Sequence, residues 1–117
     1  MAEKICLIGD SSLLLESRTG IRFSVQHEGE EASAFAIRYN GQVHAYINRC
    51  AHIPVELDWM EGEFFDDSGV YLICSTHGAL YAPENGVCLG GPCLGKKLVK
   101  LPVEERDGKI FLAESKG

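Results

Sequence analysis

The clearest regularity along the chain is an alternation of apolar and polar positions. From Gln42 to Asn48, Val43, Ala45 and Ile47 fall on one side, and Gln42, His44, Tyr46 and Asn48 fall on the other. That is the period of a strand with one buried face. A second strand-like run, Ala32–Tyr39, precedes it, with Asn40-Gly41 between the two. Both turn residues tolerate positive φ, so the runs are predicted to pair as a hairpin. Leu98–Val103 and Lys109–Leu112 flank Asp107-Gly108 in the same way. Lys4–Ile8, Ile21–Gln26 and Val70–Ile73 are further strand candidates. Helical periodicity is nearly absent, and Val55–Met60 has room for one turn at most. Many short strands joined by glycine-rich connections predict an all-β fold, an antiparallel sandwich or barrel. No repeat, low-complexity segment or linker divides the chain, so residues 1–117 read as a single domain.

Composition narrows the class of protein. The 117 residues are 45% hydrophobic and 24% charged, ordinary for a folded domain and unlike a disordered chain. Eleven Lys and Arg against seventeen Asp and Glu leave a net charge of −6. Phosphate neutralisation needs a basic face, so nucleic acid is disfavoured as a partner and a more basic protein is favoured. The longest apolar runs, Ile5–Ile8 and Leu13–Leu15, fall far short of the ~20 residues of a membrane helix. Glu3 before the first run and Asp10 after it do not fit a signal peptide. No membrane contact and a cytoplasmic location are therefore expected. Thiols stay reduced there, and five cysteines at irregular spacing do not suggest a disulfide framework. Metal or redox chemistry is the better reading.

Two short segments carry that chemistry. Cys50-Ala51-His52 and Cys74-Ser75-Thr76-His77 each offer one thiolate and one imidazole. Each follows a predicted strand, so side-by-side strands would bring both loops to one end of a sheet. Gly78 directly after the second box, and the Gly90-Gly91-Pro92 loop, supply the room for close backbone approach. Two Cys and two His suit tetrahedral zinc and also an iron–sulfur cluster. Zinc-finger spacing, however, keeps the cysteines in one knuckle and the histidines in the other.

The mixed order, C-x-H followed by C-x-x-H, resembles the Rieske family, in which one iron takes both cysteines and the other both histidines. The resemblance spans about residues 32–112. It implies an antiparallel β-sandwich of Rieske type with a small cluster-binding subdomain at about residues 49–95. It implies one 2Fe-2S cluster per chain, with Cys50 and Cys74 on the buried iron and His52 and His77 on the outer one. Gly78, Tyr81 and Pro92 would line the cluster. Two ferric ions, two sulfides and two thiolates sum to zero charge, whereas four thiolates leave two negative charges. An added electron therefore meets less repulsion, and Rieske potentials lie at roughly −150 to +300 mV against about −400 mV for plant-type ferredoxins.

The sequence also departs from relatives in cytochrome bc complexes. Those carry a further cysteine in each loop, where this chain has Val55 and Thr76, and a serine donor where it has Ala79. Tyr81 is retained, either donating to the Cys50 sulfur or packing with its hydroxyl in water. Fewer donors stabilise the reduced cluster less, placing the expected potential low in the Rieske range. Pro54 replaces a common glycine and removes one backbone donor. The segment Trp59–Phe65 lengthens the connection between the boxes; Trp59, Phe64 and Phe65 read equally as a docking patch or as cover for the base of the loops.

The expected function is that of a soluble Rieske-type ferredoxin, a one-electron carrier between a reductase and an acceptor such as a ring-hydroxylating oxygenase. It is not expected to be an enzyme on its own: His27 and His44 are the only spare histidines, and the chain is too short for an oxygenase's second iron domain. Glu56, Asp58 and Glu61 near the first loop would steer a basic partner. The rival readings are a zinc-stabilised interaction module, the small subunit of a larger redox enzyme, and a redox sensor using Cys88 and Cys93. Cys6 reads as a buried small hydrophobe, and Cys88 and Cys93 as reduced structural thiols. His27 and His44 read as solvated, and Lys96, Lys97 and Lys100 as an exposed face.

Overall fold

The computed structural model describes residues 4–27, 29–49, 56–58, 60, 62–74, 78–91 and 95–114. Ten strands occur among them: β1 (Lys4–Asp10), β2 (Ile21–His27), β3 (Glu30–Tyr39), β4 (Gln42–Ile47), β5 (Leu72–Ile73), β6 (Leu80–Tyr81), β7 (Cys88–Gly90), β8 (Lys100–Leu101), β9 (Val103–Arg106) and β10 (Lys109–Glu114). The one helical piece among the described residues is a 3₁₀ turn, Ser11–Leu13. No helix of the described residues is long and apolar enough to cross a membrane. The expected all-β architecture is therefore the observed one. Three antiparallel sheets form, ordered β1-β10-β9, β2-β3-β4-β8 and β5-β6-β7.

The predicted hairpins form where turn chemistry placed them. β3 and β4 close at Asn40 (φ 58°) and Gly41 (φ 81°), and β9 and β10 at Asp107 (φ 52°) and Gly108 (φ 76°). Positive φ at both central residues matches the right-handed twist of the flanking strands. The Glu16 carboxylate fastens the first turn, accepting from the backbone N–H groups of Asn40 and Gly41. Leu98–Val103, expected as one strand, is divided at Pro102. β8 pairs with β4 in one sheet and β9 with β10 in another. Proline has no N–H to continue a ladder, so the chain changes sheets there.

β3 and β4 are covered on both faces. Ala34, Ala36, Ala45 and Ile47 pack with Leu112 and Ile110 of β10 between the two larger sheets. Phe35, Ile37 and Tyr46 point the other way and meet Leu72, Cys74, Ala79, Tyr81 and Cys88 of the third sheet. This overturns one expectation from the alternation. His44, Tyr46 and Asn48 do not face solvent; they are 8%, 0% and 4% exposed. The third sheet and its connections cover the face that alternation assigned to water. His44 lies with its Nδ1 3.4 Å from Lys100 Nζ, while Lys100 donates to the Glu84 carbonyl at 2.7 Å. Burial first, and then the Lys100 charge, hold the His44 pKa below its usual value.

Candidate metal centre

The second box is built on the β5–β6 hairpin. Leu72 pairs with Tyr81 and Ile73 with Leu80, so the chain leaves β5 at Cys74 and returns through Gly78. The Cys74 N–H donates to the Ala79 carbonyl at 2.9 Å, and the Gly78 N–H donates to the Cys74 carbonyl at 2.7 Å. In this knuckle the first bond spans the six residues from Cys74 to Ala79 and the second the five from Cys74 to Gly78, which has φ 73°. Cys74 is fully buried. His77 lies outside the described residues.

A glycine loop presses on this knuckle. Gly91 has φ 93°, and a Cβ there would sit 2.9 Å from the Ala79 Cα. The backbone of the Gly90-Gly91 turn therefore lies directly against Gly78-Ala79, as the glycine pattern suggested. Pro92, which would extend the same wall, lies outside the described residues.

The first box follows β4. Cys50 and His52 lie outside the described residues, but both flanks are described. Asn48 follows β4, and its side-chain amide spans the gap. Its Oδ1 accepts from the Leu57 N–H at 2.8 Å, and its Nδ2 donates to Asp58 Oδ1 at 3.0 Å. Asp58 Oδ2 accepts from the Gly62 N–H at 2.9 Å and lies 3.7 Å from Arg22 Nε. Sequence reasoning missed this network, although a polar Asn closing a strand two residues before a candidate ligand was a usable signal. It also placed Asp58 among the exposed steering acids. The Asp58 side chain has 0% exposure, because Asn48, Gly62 and Arg22 enclose it. Glu56 is exposed but ion-paired with Arg22 at 2.6 Å. Glu61 lies outside the described residues.

The aromatic residues resolve partly. Tyr81 is fully buried in the cluster that holds Cys74 and Cys88, so its hydroxyl is not in water. Phe64 is fully buried, and Phe65 packs at the edge of the same cluster beside Tyr39. Both cover the base of the site rather than forming a docking patch. The described part of Val55–Met60 forms no helical turn. Trp59 and the side chains of Cys6 and His27 are not among the described groups. Lys96, Lys97 and Lys100 are exposed, as expected. Cys88 departs from its expected reduced state: it is disulfide-bonded and 4% exposed. Compartment argued for a thiol, but backbone geometry decides which sulfurs meet. Cys93 lies outside the described residues.

Among the described residues no three metal-ligating side chains cluster. What they contribute is one buried thiol, a tight knuckle and a glycine wall, beside a strand end leading into the other box. These features fit a sulfur-ligated cluster held between two loops. The fold is that of a small all-β domain with one buried cysteine at a tight turn. The chain belongs to the Rieske [2Fe-2S] domain family, whose model matches residues 8–107. Its cofactor is accordingly a Rieske-type 2Fe-2S cluster.

Solved structures agree on the fold. The ferredoxin of carbazole 1,9a-dioxygenase from Nocardioides aromaticivorans IC177 superposes with a TM-score of 0.71 at 17% identity, covering 96% of this chain and 99% of that one. The Sphingomonas yanoikuyae B1 ferredoxin gives 0.70 at 19%, covering 96% and 100%. A chain from the reduced complex between oxygenase and ferredoxin in carbazole 1,9a-dioxygenase gives 0.72 at 22%, covering 97% of this chain. This chain spans only 29% of the length of that one. Comparison with curated proteins finds no match.

Proposed function

We propose that this chain is a Rieske-type ferredoxin, a one-electron carrier that accepts electrons from a reductase and delivers them to a ring-hydroxylating oxygenase or a similar acceptor. The observation that carries the reading is membership of the Rieske family over residues 8–107, together with a full-length match to ferredoxin chains.

In this reading Cys50 and Cys74 bind the inner iron, and His52 and His77 the outer one. The cluster supplies one-electron oxidation and reduction when bound. The chain's own residues do the rest. The Cys74–Gly78 turn fixes one pair of ligands, the Gly91 backbone packs against Gly78-Ala79 beside it, and Tyr81 offers a buried hydroxyl to the sulfur environment. Residues about 49–95 act as the cluster-binding subdomain of a single domain, in the cytoplasm. The disulfide at Cys88 favours a second reading, in which thiol oxidation near the cluster regulates a partner contact.

An absorption and electron-paramagnetic-resonance (EPR) spectrum of anaerobically purified protein tests the reading, with iron and sulfide counted per chain. Two irons, two sulfides and a Rieske signal on reduction are expected. A colourless zinc protein would overturn it. Cys74→Ser and His77→Ala should each abolish the signal, and retention of full colour would remove that residue from the ligand set.

A further inference from the structure

We infer that Asn48 and Asp58 are positioning residues for the cluster: they staple the two ends of the first ligand loop together and so set where Cys50 and His52 sit. The inference rests on the ligand assignment proposed above.

The geometry is specific. Asn48 is fixed to the main sheet by its own backbone, whose N–H donates to the Ser33 carbonyl at 2.8 Å. Its side chain then uses both ends of the amide on the segment that follows the first box, Oδ1 on the Leu57 N–H and Nδ2 on the Asp58 carboxylate. The two described flanks of the first box, at Asn48 and at Leu57-Asp58, are therefore joined at one point. The returning end cannot drift, because Leu57 is fully buried in the same cluster as Cys74 and Tyr81.

Asp58 ties the staple to a second segment and a second sheet strand. One oxygen faces Asn48, and the other accepts from the Gly62 N–H, with Arg22 of β2 beside it. A carboxylate with no exposed side-chain surface is tolerated only with such partners, and losing one leaves a buried acceptor unsatisfied. Four contacts on three elements thus converge where the loop begins and ends. Groups that orient ligands commonly tune a metal site as well as hold it.

Two variants test this. Asn48→Ala removes both arms of the staple. Asp58→Asn keeps the volume but presents an amide N–H₂ to a backbone N–H or to Asn48. In each, the EPR g-values of the reduced cluster and its reduction potential should shift, and cluster loss to a chelator should accelerate at least fivefold. Unchanged g-values and potential in a folded variant would overturn the inference, even if the cluster were lost faster, since that outcome describes a merely structural contact. Should neither variant fold, amide hydrogen exchange on the unaltered holoprotein decides: the Leu57 and Gly62 amides should be strongly protected, and rapid exchange at both would overturn the staple. Absence of iron from the unaltered protein would instead overturn the proposed function.

Discussion

The ring of Phe64 stacks on the ring of Phe35, with centroids 4.0 Å apart and planes 12° from parallel. Phe35 lies mid-strand in β3, and Phe64 lies in the connection between the two ligand boxes. The contact pins that connection to the main sheet. The Phe64 carbonyl then accepts from the Ile73 N–H at 2.9 Å, one residue before Cys74. Gly20 makes the fit possible, since a Cβ there would lie 2.9 Å from the Phe64 ring and 2.7 Å from the Ala36 carbonyl oxygen. Truncation to Phe64→Ala should cost about 3–5 kcal/mol of stability, the usual loss for a buried phenylalanine. Chemical denaturation of the holoprotein reads this directly; a loss below about 1 kcal/mol would mean that the connection is not anchored there.

Gly91→Ala should be costly for two separate reasons. The backbone holds φ 93°, outside the range alanine prefers, and the added carbon would meet the Ala79 Cα. Strain of this kind typically amounts to about 1–3 kcal/mol. Because the collision falls on Ala79, whose carbonyl accepts from the Cys74 N–H, iron per chain should drop along with the melting temperature. Gly29→Ala, whose Cβ would meet nothing within 4 Å, serves as a control with comparable backbone strain. Equal iron content in the two variants would separate Gly91 from the site.

Replacing Tyr81 by Phe should lower the reduction potential. The residue is fully buried beside Cys74, and a hydroxyl donating to cluster sulfur favours the more negative, reduced state. A hydrogen bond to a charged group contributes about 1.5 kcal/mol, equivalent to ~60 mV for one electron. Redox titration monitored by absorption gives the answer, and an unshifted potential would leave Tyr81 a packing residue only.

His44 should make stability depend on pH. Its folded-state pKa is depressed by burial and by Lys100, so the unfolded chain binds this proton more readily than the folded one. The stabilisation is complete above the ordinary histidine value of 6.5 and is lost as pH falls below it toward the folded value. Urea midpoints should therefore fall less steeply in His44→Gln than in the unaltered protein between about pH 8 and pH 5. Parallel curves would place His44 outside the pH response.

The class of chemistry, a Rieske-type cluster, was legible because its signal is local. The C-x-H and C-x-x-H boxes, the glycines at 78, 90 and 91 and the strands before them all lie within short windows, where spacing carries information. The Asn40-Gly41 and Asp107-Gly108 turns were equally plain, since positive φ is a property of individual residues. What escaped was burial on the second face of β4. Alternation reports that one face is apolar; it does not report what covers the other. His44 was therefore assigned to solvent.

The order of thiols, imidazoles and glycines thus determined by itself which chemistry the chain can host, because ligand identity and spacing are written in covalent neighbours. Tertiary structure alone decided that Asn48 reaches Asp58, that Phe64 stacks on Phe35 and that the polar face of β4 lies beneath a third sheet. Those contacts join residues distant along the chain, and their energies depend on water being excluded from both partners at once. No local pattern encodes that condition.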